Sequence, residues 1–165
     1  MNNIIFDYIS VLPIFFFISL FYSYFVFNKK NDLVLFFWLF LAAILTEFIK
    51  IIPMPLELNW LVKRPNGASN IDLLSREGPT LSNGFPSGHM TVTTLYCVYI
   101  IMRNLHNNTK YQNRIILIHL ILIILMGISR YFKKVHNIYQ IIAGVILGYL
   151  LASIAFKINK KIDFI

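Results

Sequence analysis

Apolar runs long enough to cross a bilayer alternate with polar connections along almost the whole chain. The first runs from Ile4 to Phe27, close to the ~20 apolar residues that a hydrocarbon core requires. Asp7 is expected at its membrane interface. Pro13 predicts a kink, because proline removes a helical hydrogen bond. Asn28 to Asp32 is a tight polar connection. The second run is cleanly apolar from Leu33 to Thr46, and Glu47 and Lys50 follow at the i,i+3 spacing of an interfacial ion pair. Ile52-Pro-Met-Pro55 ends that helix, and Leu56 to Val62 predicts a short interfacial helix with Trp60 at headgroup level. Three more runs follow, from Ser87 to about Met102, from Ile115 to Ile128 and from Ile138 to about Phe156. The expected fold is all-α: a polytopic transmembrane helix bundle of about five spans, one domain over residues 1–165.

Composition agrees with this pattern. With 58% hydrophobic residues and a mean hydropathy of +0.68, the chain is too apolar for an ordinary soluble domain. Its net charge is +8, carried mostly in short connections and tails. Nucleic-acid binding would need a clustered basic face, so the charge reads as topological anchoring and attraction to the lipid bilayer. The single Cys97 lies in an apolar run and reads as a small packing residue. The first apolar stretch lacks a preceding basic segment and reads as a permanent span. Gly144, Gly148 and Ala152 recur every four residues, a stripe that lets helices approach closely; packing within the monomer is the default and a dimer interface the alternative. Five spans put the loops Lys63–Phe85 and Ser129–Asn137 on one side with the N-terminus. Lys29, Lys30, Arg103, Lys110, Arg114, Lys157, Lys160 and Lys161 fall on the other. The positive-inside rule then predicts a multi-pass protein with a cytoplasmic C-terminus and those two loops on the extracytoplasmic or lumenal face. Asn107-Asn108-Thr109 fits a glycosylation acceptor, but this topology leaves it unmodified on the cytoplasmic side.

The candidate chemistry gathers in those two loops. Gly84-Phe-Pro-Ser-Gly-His-Met90 reads as a helix start, with Pro86 at its edge and Ser87 as N-cap. A helix N-terminus offers unpaired N–H groups to an anion, Gly88 allows close approach, and His89 falls in the first turn. Lys63-Arg64-Pro65 opens the same long loop, and Ser129-Arg130 is followed after five residues by His136. Cations, a helix N-terminus and two histidines suit a phosphoryl group, one histidine attacking and the other moving a proton. The remaining polar residues read as structural. His119 is expected as a neutral histidine bonded within the bundle, and His106 as a solvated loop residue. Arg76 and Glu77 read as ordering the loop, and Lys133 and Lys134 as facing lipid headgroups. Thr91, Thr93 and Thr94 can hydrogen-bond inside the bundle.

These residues resemble the type 2 phosphatidic acid phosphatase superfamily of membrane lipid phosphatases, over about Trp60 to Leu151. That pattern is Lys, six residues, Arg-Pro; then Pro-Ser-Gly-His; then Ser-Arg, five residues, His, three residues, Asp. The second part is complete at Pro86 to His89, and the third matches at Ser129, Arg130 and His136. There are two departures. Glu57 stands where the upstream Lys is expected, with Lys63 as the candidate substitute, and Gln140 stands where the family has Asp. His136 and Gln140 are at i,i+4, so Gln140 Oε1 can accept from His136 Nδ1–H but cannot stabilise an imidazolium by charge. His-x-x-x-Gln is similar to the dolichyl-diphosphatase and glucose-6-phosphatase branches. Lys63 to Ala68 also looks like the dolichyl-diphosphatase-like branch and its relatives in large DNA viruses.

The resemblance implies a mechanism. His136 is the nucleophile and forms a phosphohistidine; His89 protonates the leaving oxygen and then activates water; Gln140 orients His136. Lys63, Arg64, Arg130 and the backbone of Ser87 and Gly88 bind the phosphate oxygens, each donor worth about 2.7–4 kcal/mol of barrier. No metal and no cofactor is expected, since the four histidines show no ligand spacing. The expected partner is a membrane lipid phosphate, with a polyprenyl diphosphate first and phosphatidic acid or phosphatidylglycerol phosphate next. The alternative is a catalytically inactive lipid-binding or scaffold member, motivated by Glu57 and Gln140. A channel or transporter would want charge within several spans, which are nearly free of it. A vanadate-dependent haloperoxidase shares the phosphate-site pattern without the spans.

Overall fold

The first apolar run forms two helices rather than one. α1 (Ile4–Ser10) and α2 (Leu12–Phe27) meet at a turn on Val11. Pro13 is the physical cause: it has no N–H for the carbonyl of Ile9, and its ring crowds that carbonyl, so it is accommodated in the first turn of a new helix. The predicted kink is thus a full break. α2 ends on Asn28 in the left-handed conformation (φ 52°), and α3 (Lys30–Ile51) follows. The chain then makes a 3₁₀ turn (Leu56–Leu58) and the single-turn α4 (Asn59–Val62). These form the expected short helix, with Trp60 exposed and edge-on to Tyr139 at 4.9 Å between ring centroids.

This computed structural model describes residues 4–66, 68–71, 76–79 and 83–162, with 69–71, 76–79 and 161–162 described by backbone alone. Within the long loop, β1 (Ser69–Ile71) and β2 (Arg76–Pro79) pair antiparallel, an element the hydropathy pattern does not announce. The expectation for the side chains of Arg76 and Glu77 lies outside the described residues, as does Gly67 in the Lys63–Ala68 stretch. Three helices complete the fold: α5 (Gly88–His106), α6 (Gln112–Phe132) and α7 (Ile138–Ile162).

Among the described residues, four stretches are helical, long and apolar enough to cross a membrane: Ile4–Phe27, Lys30–Ile51, Gln112–Phe132 and Ile138–Lys160. The fifth expected span, α5, is more polar, and its position explains why. It packs against α2, α3, α6 and α7, and Met90 to Leu95, Cys97, Tyr99 and Ile100 are all buried. A helix shielded by protein on its sides has no need of an apolar surface toward lipid. The outer helices turn Phe15, Ile18, Phe21, Leu117, Ile124 and Ile146 outward, as lipid contact requires.

Because lipid tails are as apolar as leucine, the helices are held by close packing rather than by exclusion of water. Leu35, Leu39, Ala42, Leu95, Ala152 and Ala155 are fully buried between α3, α5 and α7. The small-residue stripe lies on the α5 side of α7, within the monomer. A methyl group on Gly144 would stand 2.7 Å from Met90 Cβ, and one on Gly148 would stand 2.5 Å from the Thr91 carbonyl.

Polar groups inside the bundle are mostly satisfied locally. His119 behaves as expected: its Nδ1 meets the Ile115 carbonyl at 2.7 Å, and its ring stacks on Tyr96. Of the three threonines, Thr91 Oγ1 donates to the Ser87 carbonyl at 3.0 Å, whereas the buried hydroxyls of Thr93 and Thr94 have no hydrogen-bond partner among the described residues. At the end of the bundle away from the long loop, buried Asp32 pairs with Arg103 and accepts from Ser23 Oγ at 2.5 Å.

Candidate active site

Three chain segments converge at the other end of the bundle, and Gln140 ties them together. Asn137 and Gln140 form a reciprocal cap on α7. Asn137 Oδ1 accepts from the Gln140 N–H at 3.0 Å, and Gln140 Oε1 accepts from the Asn137 N–H at 3.2 Å. Asn-x-x-Gln ahead of an apolar run is the sequence signature of such a box, so this feature was open to detection. Gln140 is completely buried, and its Nε2 donates to the carbonyls of Leu61 (2.9 Å), Val62 (3.1 Å) and Lys63 (2.9 Å). Asn137 Nδ2 reaches the Trp60 carbonyl at 3.1 Å, and Arg64 Nη1 reaches the Val135 carbonyl at 3.3 Å. The upstream loop is thereby fastened to the start of α7.

These contacts settle the state of His136. Only an NH2 group can donate to carbonyls, so the Gln140 amide is oriented with Oε1 toward the ring. His136 Nδ1 lies 3.1 Å from that oxygen and must carry the proton, which leaves the lone pair on Nε2. His136 is 3% exposed. Burial, then the charges of Arg64 and Arg130, hold its imidazole well below the ordinary histidine range, while the bond to Gln140 works the other way. His136 is therefore neutral near pH 7.

The Pro-Ser-Gly-His segment approaches from the second side. The Gly84 N–H donates to the Val62 carbonyl at 2.7 Å. Gly84 is required by space: a Cβ there would lie 2.5 Å from Gln140 Oε1 and 2.8 Å from Arg64 Cγ. The Phe85–Pro86 peptide bond is cis. Ser87 occupies the N-cap position of α5 as expected, but its hydroxyl makes no capping bond and is buried without a partner among the described residues. Its N–H is committed to the Gln140 carbonyl at 3.1 Å, so this amide, expected to face phosphate, serves the fold instead. Gly88 is then the first residue of α5, where N–H groups have no intrahelical acceptor. His89 follows, in the electrostatic field of Arg130, His136, Lys50 and Lys133.

The third side is the α6–α7 connection with α1 laid against it. The His136 N–H meets the Arg130 carbonyl at 3.4 Å, closing the five-residue spacing into a compact turn. Arg130 is 4% exposed and donates through Nη2 to Ser10 Oγ. Ser129 Oγ donates to the Phe6 carbonyl at 3.0 Å. Lys133 Nζ pairs with Asp7 Oδ1 at 2.7 Å. Lys133 thus turns inward to α1 rather than toward headgroups, and Asp7 is its counter-ion; Lys134 is exposed. No pattern in the chain joins Asp7 and Ser10 to Lys133 and Arg130, because they are more than a hundred residues apart.

Of the predicted site residues, the structure brings together His136, Gln140, Arg64, Ser87, Gly88, His89 and Arg130. Lys63 is exposed and meets the cluster through its backbone carbonyl. Lys50 enters unannounced. Its ammonium lies 3.8 Å from where a Cβ on Gly88 would sit, and it holds Glu47 at 2.5 Å, so the expected ion pair forms but lies against the helix start.

The geometry can be set beside known proteins. The structure resembles the crystal structure of a transmembrane PAP2-type phosphatidylglycerolphosphate phosphatase from Bacillus subtilis, with a TM-score of 0.65 and 21% identity over 92% of this chain and 68% of that one. At that identity the likeness shows the fold. A search of curated proteins returned no match. The sequence profile of the PAP2 superfamily matches residues 33–163, from the start of the second span through α7, which takes in every segment of the cluster except α1. An integral membrane protein with this bundle and that match over most of its length belongs to the PAP2 superfamily.

Proposed function

We propose that the protein is a metal-independent phosphatase of membrane lipids, acting through a phosphohistidine on His136. The observation that carries this reading is the Gln140-held tautomer of His136. A buried, neutral imidazole with its lone pair on Nε2 is a nucleophile ready for phosphorus. In this reading His136 Nε2 attacks phosphorus as the bond to the leaving oxygen breaks, and His89 supplies the proton that oxygen takes up. His89 then removes a proton from the water that cleaves the phosphohistidine, restoring both rings. Arg64 and Arg130 hold the equatorial oxygens, helped by the Gly88 N–H.

The substrate class follows from the surroundings. A site at the bundle end, bordered by lipid-facing helices, suits a headgroup phosphate whose tail stays in the bilayer. A polyprenyl diphosphate is the first choice, on the likeness of His136-x-x-x-Gln140 and Lys63–Ala68 to the dolichyl-diphosphatase-like branch. The Bacillus subtilis neighbour is named for phosphatidylglycerolphosphate, which keeps that lipid among the candidates. The site is assigned to the extracytoplasmic or lumenal face, because Lys and Arg outside the cluster concentrate at the opposite end.

The test is phosphate release in detergent micelles with EDTA and no added metal, from a prenyl diphosphate, phosphatidic acid and phosphatidylglycerol phosphate. Release that survives EDTA and disappears in His136→Ala is the expected result. No release from any lipid by folded protein would overturn the reading in favour of an inactive lipid-binding member, the alternative that Gln140 in place of Asp motivates.

A further inference from the structure

The cluster has a cation that neither the sequence pattern nor the preceding mechanism assigns. Lys50 stands on the last turn of α3, yet its side chain is only 10% exposed, while its partner Glu47 is 67% exposed. A lysine whose only duty was a surface ion pair would keep its ammonium in water. This one is folded under the start of α5. Gly88 is the residue it faces, with Thr46 Oγ1 at 3.2 Å, Lys50 Nζ at 3.8 Å and Glu47 Oε1 at 3.9 Å from its Cβ position. The Lys50 backbone is held as well, its carbonyl accepting from Asn83 Nδ2 at 2.9 Å, so the end of α3 is joined to the segment carrying Gly84 to His89. Lys50 also belongs electrostatically with the site. Its charge acts on both His89 and His136, as that of Arg130 does, and Glu47 acts on Arg64. Meanwhile neither position considered for an upstream cation supplies one to the cluster: Glu57 is an exposed acid, and Lys63 is exposed with its carbonyl bound to Gln140.

We infer that Lys50 binds a phosphoryl oxygen of the substrate beside Gly88, and that the Glu47 carboxylate is the counter-ion it exchanges for substrate. The inference rests on the lipid-phosphatase reading for its substrate and on the geometry for its place. An exposed carboxylate holding a lysine across one helical turn is a weak partner, readily displaced by a phosphate that Arg64 and Arg130 hold at the same time. The two members of the pair then have opposite duties. Lys50 attracts the phosphate, and Glu47 competes with it. A purely structural ion pair would make them equivalent, since loss of either partner breaks the same contact.

The experiment compares wild type, Lys50→Gln, Lys50→Arg and Glu47→Gln in detergent. Two quantities are read: kcat/KM for the best lipid substrate, and the rise in thermal midpoint on adding orthovanadate, an oxyanion that adopts the five-coordinate geometry of phosphoryl transfer. Lys50→Gln is expected to lower kcat/KM by about 10²–10³-fold, the loss typical of one oxyanion donor, and to abolish the vanadate shift. Lys50→Arg retains more of both, and Glu47→Gln lowers KM and enlarges the shift. Values for Lys50→Gln within about threefold of wild type, or equal losses in Lys50→Gln and Glu47→Gln, would overturn the inference. If wild type releases no phosphate, the lipid-phosphatase reading fails and the vanadate arm still decides Lys50. A shift in wild type that Lys50→Gln lacks supports it; an equal shift in both, or none in either, sinks it. Should Lys50→Gln not fold, Glu47→Gln decides alone, tighter vanadate binding supporting the inference and weaker binding refuting it.

Discussion

At the scale of single residues, the site turns on an amide that is more than a stand-in for a carboxylate. Gln140 orients His136 through one end and gathers three backbone carbonyls through the other, a task a carboxylate could not perform because it has no hydrogen to give. The exchange removes the charge that would favour an imidazolium, in keeping with the neutral nucleophile we propose. A pH dependence follows. The folded protein holds the pKa of His136 well below 6.5, so below about pH 6.5 the unfolded chain takes up a proton that the fold refuses, and stability falls as pH falls. Thermal midpoints measured from pH 7 down to pH 5 should drop in wild type, and His136→Gln should lose part of that drop. The pairing of His136 with Gln140 was readable in their i,i+4 spacing. The position of Lys50 was not, because its i,i+3 match to Glu47 accounts for it completely until a third segment is seen to lie over the pair.

At the scale of helices, hydropathy marked all five long helical stretches, of which four are apolar enough to cross a membrane and α5 is not, and it left their partners unstated. The ends of α3, α6 and α7 ran further than the apolar runs, since polar residues continue a helix beyond the hydrocarbon. Pro13 located the break between α1 and α2, but only packing shows its use: the break frees α1 to lie along the end of α6, where Asp7 and Ser10 meet Lys133 and Arg130. The glycine stripe was legible as a close-approach surface, and its partner is α5. Gly148→Ala would put a methyl against the Thr91 carbonyl and within 2.7 Å of Thr94 Cβ, so α5 and α7 must separate. We expect a loss of about 1–3 kcal/mol, read as a lower thermal midpoint in detergent, with Ser153→Ala, on a less crowded part of α7, nearly silent. The β1–β2 pair had no signature, because its residues form neither an alternating nor a continuous apolar run.

At the scale of the whole molecule, the two ends of the bundle are chemically distinct. One carries the His136 cluster; the other carries the Asp32–Arg103 pair and most of the remaining Lys and Arg. Their sidedness can be read by cysteine labelling, since the one native thiol, Cys97, is buried and gives a blank. With a membrane-impermeant maleimide on intact cells, Glu57→Cys should react and Lys110→Cys should react only after permeabilisation. The reverse pattern would put the site in the cytoplasm.

The polarity of α5 reaches beyond the finished fold into how the protein is made. Synthesis runs from the N-terminus, so α5 leaves the ribosome after α1 to α4 and while α6 and α7, which cover much of its surface, are still unmade. A helix carrying Thr91, Thr93, Thr94 and Arg103 partitions into lipid less readily than its neighbours. Its stable entry is therefore expected to wait on its later neighbours. The segment that carries His89 is thus in its final surroundings only once α6 and α7 have been made.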